Sequence, residues 1–227
     1  MTRVLVLGGS ALTDDVGHAL KSAGHDVSVY WSRGPMSAVL PMATTLRAGL
    51  DGAGLLVDTT HPFDDTLRGL ALAFAADVPR VRVGRPAWTP APQDRWTEVE
   101  DLAQAVAALP SGARVFAASG RDSAEVLAHH DGPVYLRQLH HHDDVPPVGC
   151  TFVFGDGPFD VESEITLFQN LEIDALLARN MGGVRGFPKL AAARTLGLPV
   201  VLISPPETGF EIHVPDAGAL LDWLGSL

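Results

Sequence analysis

The amino-acid sequence predicts an α/β fold of two Rossmann-like domains, with mainly parallel sheets and an interdomain cleft. Short apolar runs rich in valine and leucine alternate with helix-compatible stretches along the chain. The first run, Arg3 to Leu7, ends at Gly8 and Gly9, where a tight turn leads into a helix. Strands that are joined through helices lie parallel, and they bind ligands beyond their carboxyl ends. The residues that follow each strand are therefore the candidates for function.

The first half of the chain contains four predicted strands. Apolar runs bounded by turn residues place them at 3–7, 27–30, 54–58 and 80–83, and helices are expected at 11–23, 64–76 and 99–109. Gly24 to Asp26 end the first helix, and the second strand completes a βαβ unit. A proline-rich segment from Pro86 to Pro92 interrupts this alternation before the third helix.

The second half continues the alternation. Strands are expected at 114–118, 134–136, 151–154, 175–178 and 200–203, and helices at 122–130, 161–170 and 188–196. We place the domain boundary at Pro110. Residues 1–110 are expected to form an N-terminal Rossmann-like domain with the cofactor phosphate turn, and residues 111–227 a C-terminal Rossmann-like domain with substrate-anchoring loops.

Composition excludes several classes of protein. The 227 residues carry a formal net charge of −11, which repels nucleic acid and anionic membranes. The single cysteine, Cys150, cannot form an internal disulfide, and no apolar run reaches the roughly 20 residues of a membrane span. The first residues do not resemble a secretory leader, so a cytoplasmic protein is expected.

Two features of the first half suggest a dinucleotide. Gly8, Gly9 and Ser10 let the backbone approach a phosphate at a helix N-terminus, although a glycine pair is about as often only a tight turn. Arg33 follows the second strand, where an acidic residue would favour NAD and an arginine favours the phosphate of NADP. A solvated loop arginine is the alternative interpretation of Arg33.

The turn after the third strand places two hydroxyls and an imidazole in front of a helix. Thr60 is a candidate cofactor contact, and Asp64 is an ordinary capping residue. His61 is not needed for capping and can exchange a proton near pH 7, so it is the candidate catalytic residue. Holding the turn is the alternative role of His61.

Two turns of the second half collect groups that bind anions. Ser119, Gly120 and Arg121 stand at a predicted helix entrance. The segment 179–189 contains two arginines, a lysine and three glycines between a strand and a helix, and its candidate ligand-binding residues are Arg179, Asn180, Gly182, Gly183 and Lys189. Arginine pairs bidentately with carboxylates and phosphates, so these turns predict a polyanionic ligand.

The histidine-rich segments do not predict a metal site. His129 and His130 are adjacent, as are His140 to His142, and adjacent histidines cannot all converge on one ion. We expect no metal ligands in this chain.

Taken together, the turns resemble the precorrin-6A reductase family of cobalamin biosynthesis over nearly the whole chain. The matching segments are, in order, Gly8-Gly9, Asp58-Thr59-Thr60-His61-Pro62-Phe63, Arg85-Pro86-Ala87-Trp88, Ser119-Gly120-Arg121, Gly157-Pro158-Phe159, Arg179-Asn180, Gly182-Gly183 and Lys189-Leu190-Ala191-Ala192-Ala193. The chain departs from the family at Ser10 to Thr13, which lack a usual carboxylate, and at Ala178 to Met181, which lack two hydroxyls.

The resemblance implies a monomeric, NADPH-dependent reductase that delivers hydride to one double bond of a precorrin and converts precorrin-6A to precorrin-6B. It adds Arg85 to the substrate-binding residues and suggests transient contact with neighbouring pathway enzymes. The ionised acetate and propionate arms of a precorrin suit arginines at strand ends. His61 is one possible proton donor, and solvent is another.

Two alternatives remain open from the sequence alone. A non-catalytic dinucleotide-binding sensor would keep the first glycine turn but would not need the arginines and glycines of residues 179–189. Another NADP-dependent reductase of the short-chain type would require Tyr-x-x-x-Lys, and neither Tyr30 nor Tyr135 is followed by that lysine.

Overall fold

The fold is given by a computed structural model that describes residues 1–31, 40–75 and 77–226. The backbone divides into two compact units: unit 1 contains Met1–Pro86 and Pro206–Leu227, and unit 2 contains Ala87–Pro205. Each unit is built on one sheet whose neighbouring strands all run parallel. The predicted α/β class with parallel sheets is therefore confirmed.

Unit 1 contains a five-stranded sheet in the order β11-β4-β3-β1-β2. Its strands are β1 (Arg3–Gly8), β2 (Asp26–Trp31), β3 (Leu55–Asp58), β4 (Arg80–Val83) and β11 (His213–Val214). Its helices are α1 (Leu12–Ser22), α2 (Leu46–Leu50), α3 (Asp65–Phe74) and α8 (Ala217–Gly225).

Both faces of this sheet are buried by helices, as the alternation along β1 shows. Val4 and Val6 pack into a core with Leu20 of α1 and Leu220 of α8. Leu5 and Leu7 face the opposite core, which contains residues of α2 and α3. A strand that is covered on both sides is apolar throughout, which explains the uninterrupted first run of the sequence.

Unit 2 contains a six-stranded sheet in the order β5-β10-β9-β6-β7-β8. Its strands are β5 (Trp96–Val99), β6 (Val115–Ala118), β7 (Val134–Gln138), β8 (Cys150–Phe154), β9 (Ala175–Arg179) and β10 (Val200–Ile203). Its α-helices are α4 (Leu102–Ala108), α5 (Ala124–Leu127), α6 (Val161–Asn170) and α7 (Pro188–Leu196).

Local sequence signals explain where the longer helices of unit 2 begin and end. Asp160 and Ser163 form a capping box at the start of α6. Pro188 occupies the first turn of α7, and Gly197 ends it in the left-handed conformation with φ of 68°. The predicted bounds 161–170 and 188–196 agree with these two helices.

The boundary predicted at Pro110 differs from the division in the structure, which lies between Pro86 and Ala87. No strand was predicted at residues 96–98, and Val99 was expected to begin a helix, but residues 96–99 form β5, which pairs with β10 through Trp96 and Val200. The last residues return to unit 1, where His213 of β11 pairs with Arg82. Pairing between distant segments decides the division, which falls at the start of the proline-rich segment 86–92 and not at Pro110.

Two other expectations need correction. The helix predicted at 122–130 is a 3₁₀ turn, Arg121–Ser123, followed by the single turn of α5. Helices α2 and α8 were not anticipated from the sequence. Within the described ranges, no helix combines the length and apolar character that crossing a membrane requires.

Candidate functional site

A buried ionic cluster lies at the carboxyl end of β3. Asp58 is fully buried, and its Oδ2 accepts hydrogen bonds from Nε of Arg68 (3.1 Å) and from Nη1 of Arg82. Arg68 comes from α3 and Arg82 from β4, so three elements supply the cluster. Burial lowers the pKa of Arg82 from its ordinary value, although the Asp58 carboxylate opposes that change. The cluster holds two guanidiniums and one carboxylate.

Arg68 also fixes the backbone of the turn between β3 and α3. Its Nη2 donates to Thr60 Oγ1 and the His61 carbonyl, both at 3.2 Å, and to the Pro62 carbonyl at 3.3 Å. The backbone N–H of Thr60 donates to Asp58 Oδ1 at 2.8 Å. One buried side chain thus orients three consecutive residues of the turn that carries the predicted catalytic histidine.

The same turn determines how the half-buried His61 ring is oriented. Its Nδ1 accepts a hydrogen bond from the backbone N–H of Phe63 at 3.2 Å. We assign the ring proton to Nε2 from this bond, because Nδ1 cannot accept and carry a proton at once. In the tautomer that this bond favours, Nε2 is the hydrogen-bond donor of the ring. Protonation of Nδ1 would require the Phe63 bond to break.

The glycine turn after β1 packs against the turn after β3. A Cβ on Gly9 would lie 3.0 Å from both His61 N and Thr60 Cα, so a larger residue would push the two turns apart by a few tenths of an ångström. The Gly9 N–H donates to Thr13 Oγ1 at 3.3 Å, and Asp14 and Asp15 occupy the first turn of α1. Those carboxylates complement the dipole of α1 at its N-terminus.

The predicted residues of the first half have different surroundings. Thr60 is buried, and its hydroxyl accepts from Arg68, which gives it a role inside the protein. Gly8 is buried, whereas Ser10 is half-buried and its hydroxyl accepts from Leu12 N at 3.3 Å. Arg85 is exposed, and Arg33 lies outside the described residues. The ligand contacts assigned to these residues stay predictions.

Trp88 is the centre around which residues 180–189 of unit 2 are arranged. The Asn180 amide accepts from Trp88 N at 2.8 Å and donates to Trp88 O at 2.9 Å. The indole Nε1 donates to Gly183 O at 2.7 Å. The ring also lies against Gly186, where an added Cβ would be 2.9 Å away. Two motifs that are far apart in sequence are therefore one structural unit.

The two adjacent glycines of this segment have a conformational reason. Gly182 and Gly183 both adopt positive φ, at 65° and 74°, which other residues rarely tolerate. Gly182 is buried and Asn180 is 3% exposed, so both lie inside the protein. The structure gives these residues a part in shaping the loop, and direct ligand contact remains a prediction for them.

Lys189 is the second residue of α7, beside this loop, and is half-buried. Its Nζ donates to Gly186 O at 2.6 Å and lies 5.5 Å from the centre of the Trp88 ring. Burial lowers the pKa of Lys189 to about 8, while Glu164 acts to raise it and Arg137 to lower it. An ammonium in these surroundings gives up its proton more readily than an exposed lysine.

Arg137 and Glu164 form a second buried ion pair in unit 2. Arg137 Nη2 donates to Glu164 Oε1 at 2.9 Å, with both side chains at most 9% exposed. The guanidinium also stacks on Phe159, at 4.1 Å from the ring centre. The Gly157-Pro158-Phe159 motif thus contributes its aromatic ring to this pair.

The serine and arginine turn after β6 is tied to the end of β9. Arg179 Nη2 donates to Asp122 Oδ2 at 2.8 Å, and exposed Arg121 pairs with exposed Asp144. Ser119 is buried and its hydroxyl contacts that of Ser123 at 2.7 Å. Gly120 has φ of 91°. The helix expected here is a 3₁₀ turn followed by the single turn of α5, and the ligand contacts assigned to Ser119, Gly120 and Arg121 stay predictions.

The histidines of residues 140–142 border an aromatic surface. His141 lies 4.8 Å from the ring centre of Phe154, and His142 contacts both Phe152 and Phe154. His142 Nε2 is 3.2 Å from Gln138 Oε1. Two of the adjacent rings therefore pack against phenylalanines.

Sequence reasoning missed Arg68, Arg82, Arg137 and Glu164. Arg82 had a local signal, because it alternates with valine inside an apolar strand. Arg68 lies in an apolar helix, where a charged residue indicates a buried partner. Nothing local to Arg137 or Glu164 indicates their pairing, which joins β7 to α6.

The chain is similar to known reductases along its whole length. A family model described as "Precorrin-6x reductase CbiJ/CobK" matches residues 3–225. The precorrin-6A reductase of Rhodobacter capsulatus is 37% identical over 99% of this chain and 96% of its own length. That of Rhodococcus erythropolis is 33% identical over 100% and 99%.

A solved structure named "CobK precorrin-6A reductase" has the same fold. It superposes with a TM-score of 0.82 and 31% sequence identity, covering 100% of this chain and 97% of its own. Sequence and fold agree across both units, and the chain belongs to the precorrin-6x reductase CbiJ/CobK family.

Proposed function

We propose that the protein is an oxidoreductase that reduces one double bond of the precorrin-6A macrocycle to give precorrin-6B in cobalamin biosynthesis. The observation that carries this proposal is the match of relatives named precorrin-6A reductase across both units. A non-catalytic sensor would not need the loop built around Trp88, and a short-chain reductase would need the missing Tyr-x-x-x-Lys.

Anaerobic absorbance spectroscopy tests this function directly. Mixing protein, NADPH and precorrin-6A should produce a time-dependent change in the tetrapyrrole spectrum together with loss of NADPH absorbance in equal amount. Protein mixed with either compound alone is the control. A tetrapyrrole spectrum that does not change in the complete mixture contradicts the proposal.

We propose NADPH as the cofactor, held by unit 1. Gly9 and Ser10 are the half-buried residues of the first turn, and a Cβ at Gly9 would crowd the turn after β3 at 3.0 Å. This turn suits a dinucleotide backbone that passes close to the protein, while Arg33 supplies the charge for a ribose phosphate. When bound, the nicotinamide supplies the hydride.

Cofactor preference is the first testable prediction. We expect NADPH to bind at least about tenfold more tightly than NADH, because one phosphate contact readily contributes the corresponding ~1.4 kcal/mol. Titration of the protein with each cofactor measures both dissociation constants. Arg33→Ala should make the two equal, with Arg47→Ala as the control. Equal affinities in the unmodified protein contradict the assignment.

We propose that Arg85, Arg121, Arg179 and Lys189 receive carboxylates of the substrate. The aspartates that pair with Arg121 and Arg179 must then be exchanged for acetate or propionate arms. Arg121 is 57% exposed beside Asp144, whereas Arg179 is 22% exposed beside Asp122. Arg179 is the more sheltered of the two, so a substrate carboxylate should contribute more binding free energy there, because solvent screens the charges less.

The second prediction compares these two arginines. Arg179→Ala should weaken precorrin binding by about 1.5–3 kcal/mol, and Arg121→Ala by about 1 kcal/mol or less. Titration of the tetrapyrrole absorbance measures each affinity. Arg95→Ala is the control, because this exposed arginine precedes β5 at the amino end of the sheet. A larger loss for Arg121 than for Arg179 contradicts this order.

We propose that His61 touches the reacting ligand as a hydrogen-bond donor through Nε2. The support is the turn itself, in which Arg68 and Phe63 fix the backbone and ring of His61. A neutral imidazole can polarise an acceptor without transferring a proton. This role is narrower than proton donation, which the Phe63 bond opposes.

We also propose that the protein works as a monomer in the cytoplasm and makes transient contact with neighbouring pathway enzymes. The net charge of −11 supports the expectation that nucleic acid and anionic membranes are not partners.

A further inference from the structure

The buried cluster around Asp58 contains one more positive charge than negative charge. Arg68 and Arg82 pair with the same carboxylate oxygen, and all three side chains are at most 6% exposed. In the part of the chain that the structure describes, neither arginine has a second carboxylate at ion-pair distance. An uncompensated charge away from water lowers stability, so a cluster that served only the fold would be balanced.

The surplus charge comes from Arg82, because Arg68 by itself explains how the turn after β3 is held. Arg68 donates to Asp58 Oδ2, to Thr60 Oγ1 and to two backbone carbonyls of the turn. Besides its bond to Asp58, the Arg82 side chain approaches the hydroxyl and the carbonyl of Thr60, both at 3.5 Å, the long limit of a hydrogen bond. Arg82 therefore contributes mainly its charge.

Arg68 also has a hydrogen-bond donor that the protein does not use. Its Nη1 is buried and donates to no acceptor among residues 1–31, 40–75 and 77–226. Buried donors without a partner are rare in proteins, and each one calls for an explanation. The cluster thus has more positive charge and more donors than its own acceptors satisfy.

The cluster lies directly behind a ligand-binding position of the sheet in unit 1. The strand order of that sheet is β2-β1-β3-β4-β11, and sheets of this order bind ligands outside the carboxyl ends of β1 and β3. The turns after these two strands meet, since a Cβ on Gly9 would lie 3.0 Å from Thr60 Cα. Thr60 Oγ1 in turn accepts from Arg68 at 3.2 Å. A single residue therefore separates Gly9 from the buried guanidiniums.

We propose that the surplus charge of Arg82 strengthens the binding of an oxyanion group at the turns after β1 and β3, an inference that rests on the proposed function. The oxyanion is a phosphate of NADPH or a carboxylate arm of the precorrin. Arg68 and Arg82 are too buried to touch it, and they act on it as a fixed positive charge. Protein surrounds that charge, so solvent and salt screen it weakly.

Replacing Arg82 with methionine tests the proposal, because one arginine then remains for one carboxylate. We expect the midpoint of urea denaturation to stay the same or to rise, since an apolar side chain replaces an uncompensated buried charge. The dissociation constant of the ligand that supplies the oxyanion should rise about tenfold. Fluorescence titration with NADPH and absorbance titration with precorrin-6A identify that ligand. Arg80→Met is the matched control, because it removes the same charge from the amino end of β4.

A lysine at the same position separates charge from geometry. Arg82→Lys keeps a positive charge beside Asp58 and loses the planar guanidinium. Both dissociation constants should therefore stay within about threefold of those of the unmodified protein. If Arg82→Lys binds as weakly as Arg82→Met, the guanidinium orients the turn and the proposal is overturned.

The remaining outcomes separate this inference from the proposed function. Normal affinity of folded Arg82→Met for both ligands overturns the inference and leaves the reductase assignment unchanged. A large fall in the urea midpoint of Arg82→Met also overturns it, because the second arginine would then be needed for folding. Unmodified protein that binds both ligands without reducing precorrin-6A contradicts the proposed function alone. Unmodified protein that binds neither ligand overturns both.

Discussion

Replacing Asp58 with alanine is expected to lower the free energy of unfolding by about 3–5 kcal/mol, because it leaves two buried guanidiniums without a counterion. Asp58 is 0% exposed and accepts from both Arg68 and Arg82. The two like charges would then repel each other in a poorly solvated environment. Equilibrium denaturation with urea measures the loss.

The matched control is Asp144→Ala, which removes one partner of an exposed pair. Both Arg121 and Asp144 are more than half exposed, and such pairs contribute about 0–1 kcal/mol. If Asp58→Ala and Asp144→Ala lower the free energy of unfolding by similar amounts, burial does not make the Asp58 ion pairs more important for stability. Asp58→Ala with normal stability would mean that solvent reaches the cluster.

Replacing His61 with asparagine is expected to lower turnover about 10²–10³-fold while the protein stays folded, because one positioned hydrogen-bond donor is lost. An asparagine oxygen can still accept from the N–H two residues later, so the turn held by Phe63 N should survive. Rapid mixing under single-turnover conditions and thermal unfolding measure the two effects separately.

His61→Ala separates the structural role of His61 in the turn from its role in the reaction. It should be as slow as His61→Asn, and it should also lose about 0.5–1.5 kcal/mol of stability with the hydrogen bond to Phe63 N. Normal turnover by the asparagine variant would instead give His61 a purely structural role. Normal turnover by a folded alanine variant would remove it from the site.

The two buried arginine clusters show why part of this arrangement could not be read from the sequence. Arg68 and Arg82 are 10 and 24 residues from Asp58, and they meet only because β4 lies beside β3 and α3 covers the turn. Periodicity reports which face of an element is apolar, and it carries no information on which distant charges that face will bring together.

Trp88 shows the same limit for segments that the sequence did identify. The motif that contains Trp88 and the segment 179–189 were both identified from the sequence, but nothing in the sequence predicted that they are in contact. Their hydrogen bonds join residues 92 and 95 positions apart. They meet only in the folded unit 2, in which β10 pairs with both β5 and β9.

The sequence by itself determined the α/β class, the parallel strands and the positions of most long helices, because apolar runs, capping residues and glycines act over a few neighbouring residues. It also located the turns at strand ends, including those of His61 and Lys189. The tertiary structure alone decided that β5 belongs to unit 2 and that β11 and α8 return to unit 1. It also decided that the half-buried Lys189 donates to Gly186 O and lies over the Trp88 ring. The pairings that decide this division join distant segments, such as Trp96 with Val200 and Arg82 with His213, and no local pattern specifies them.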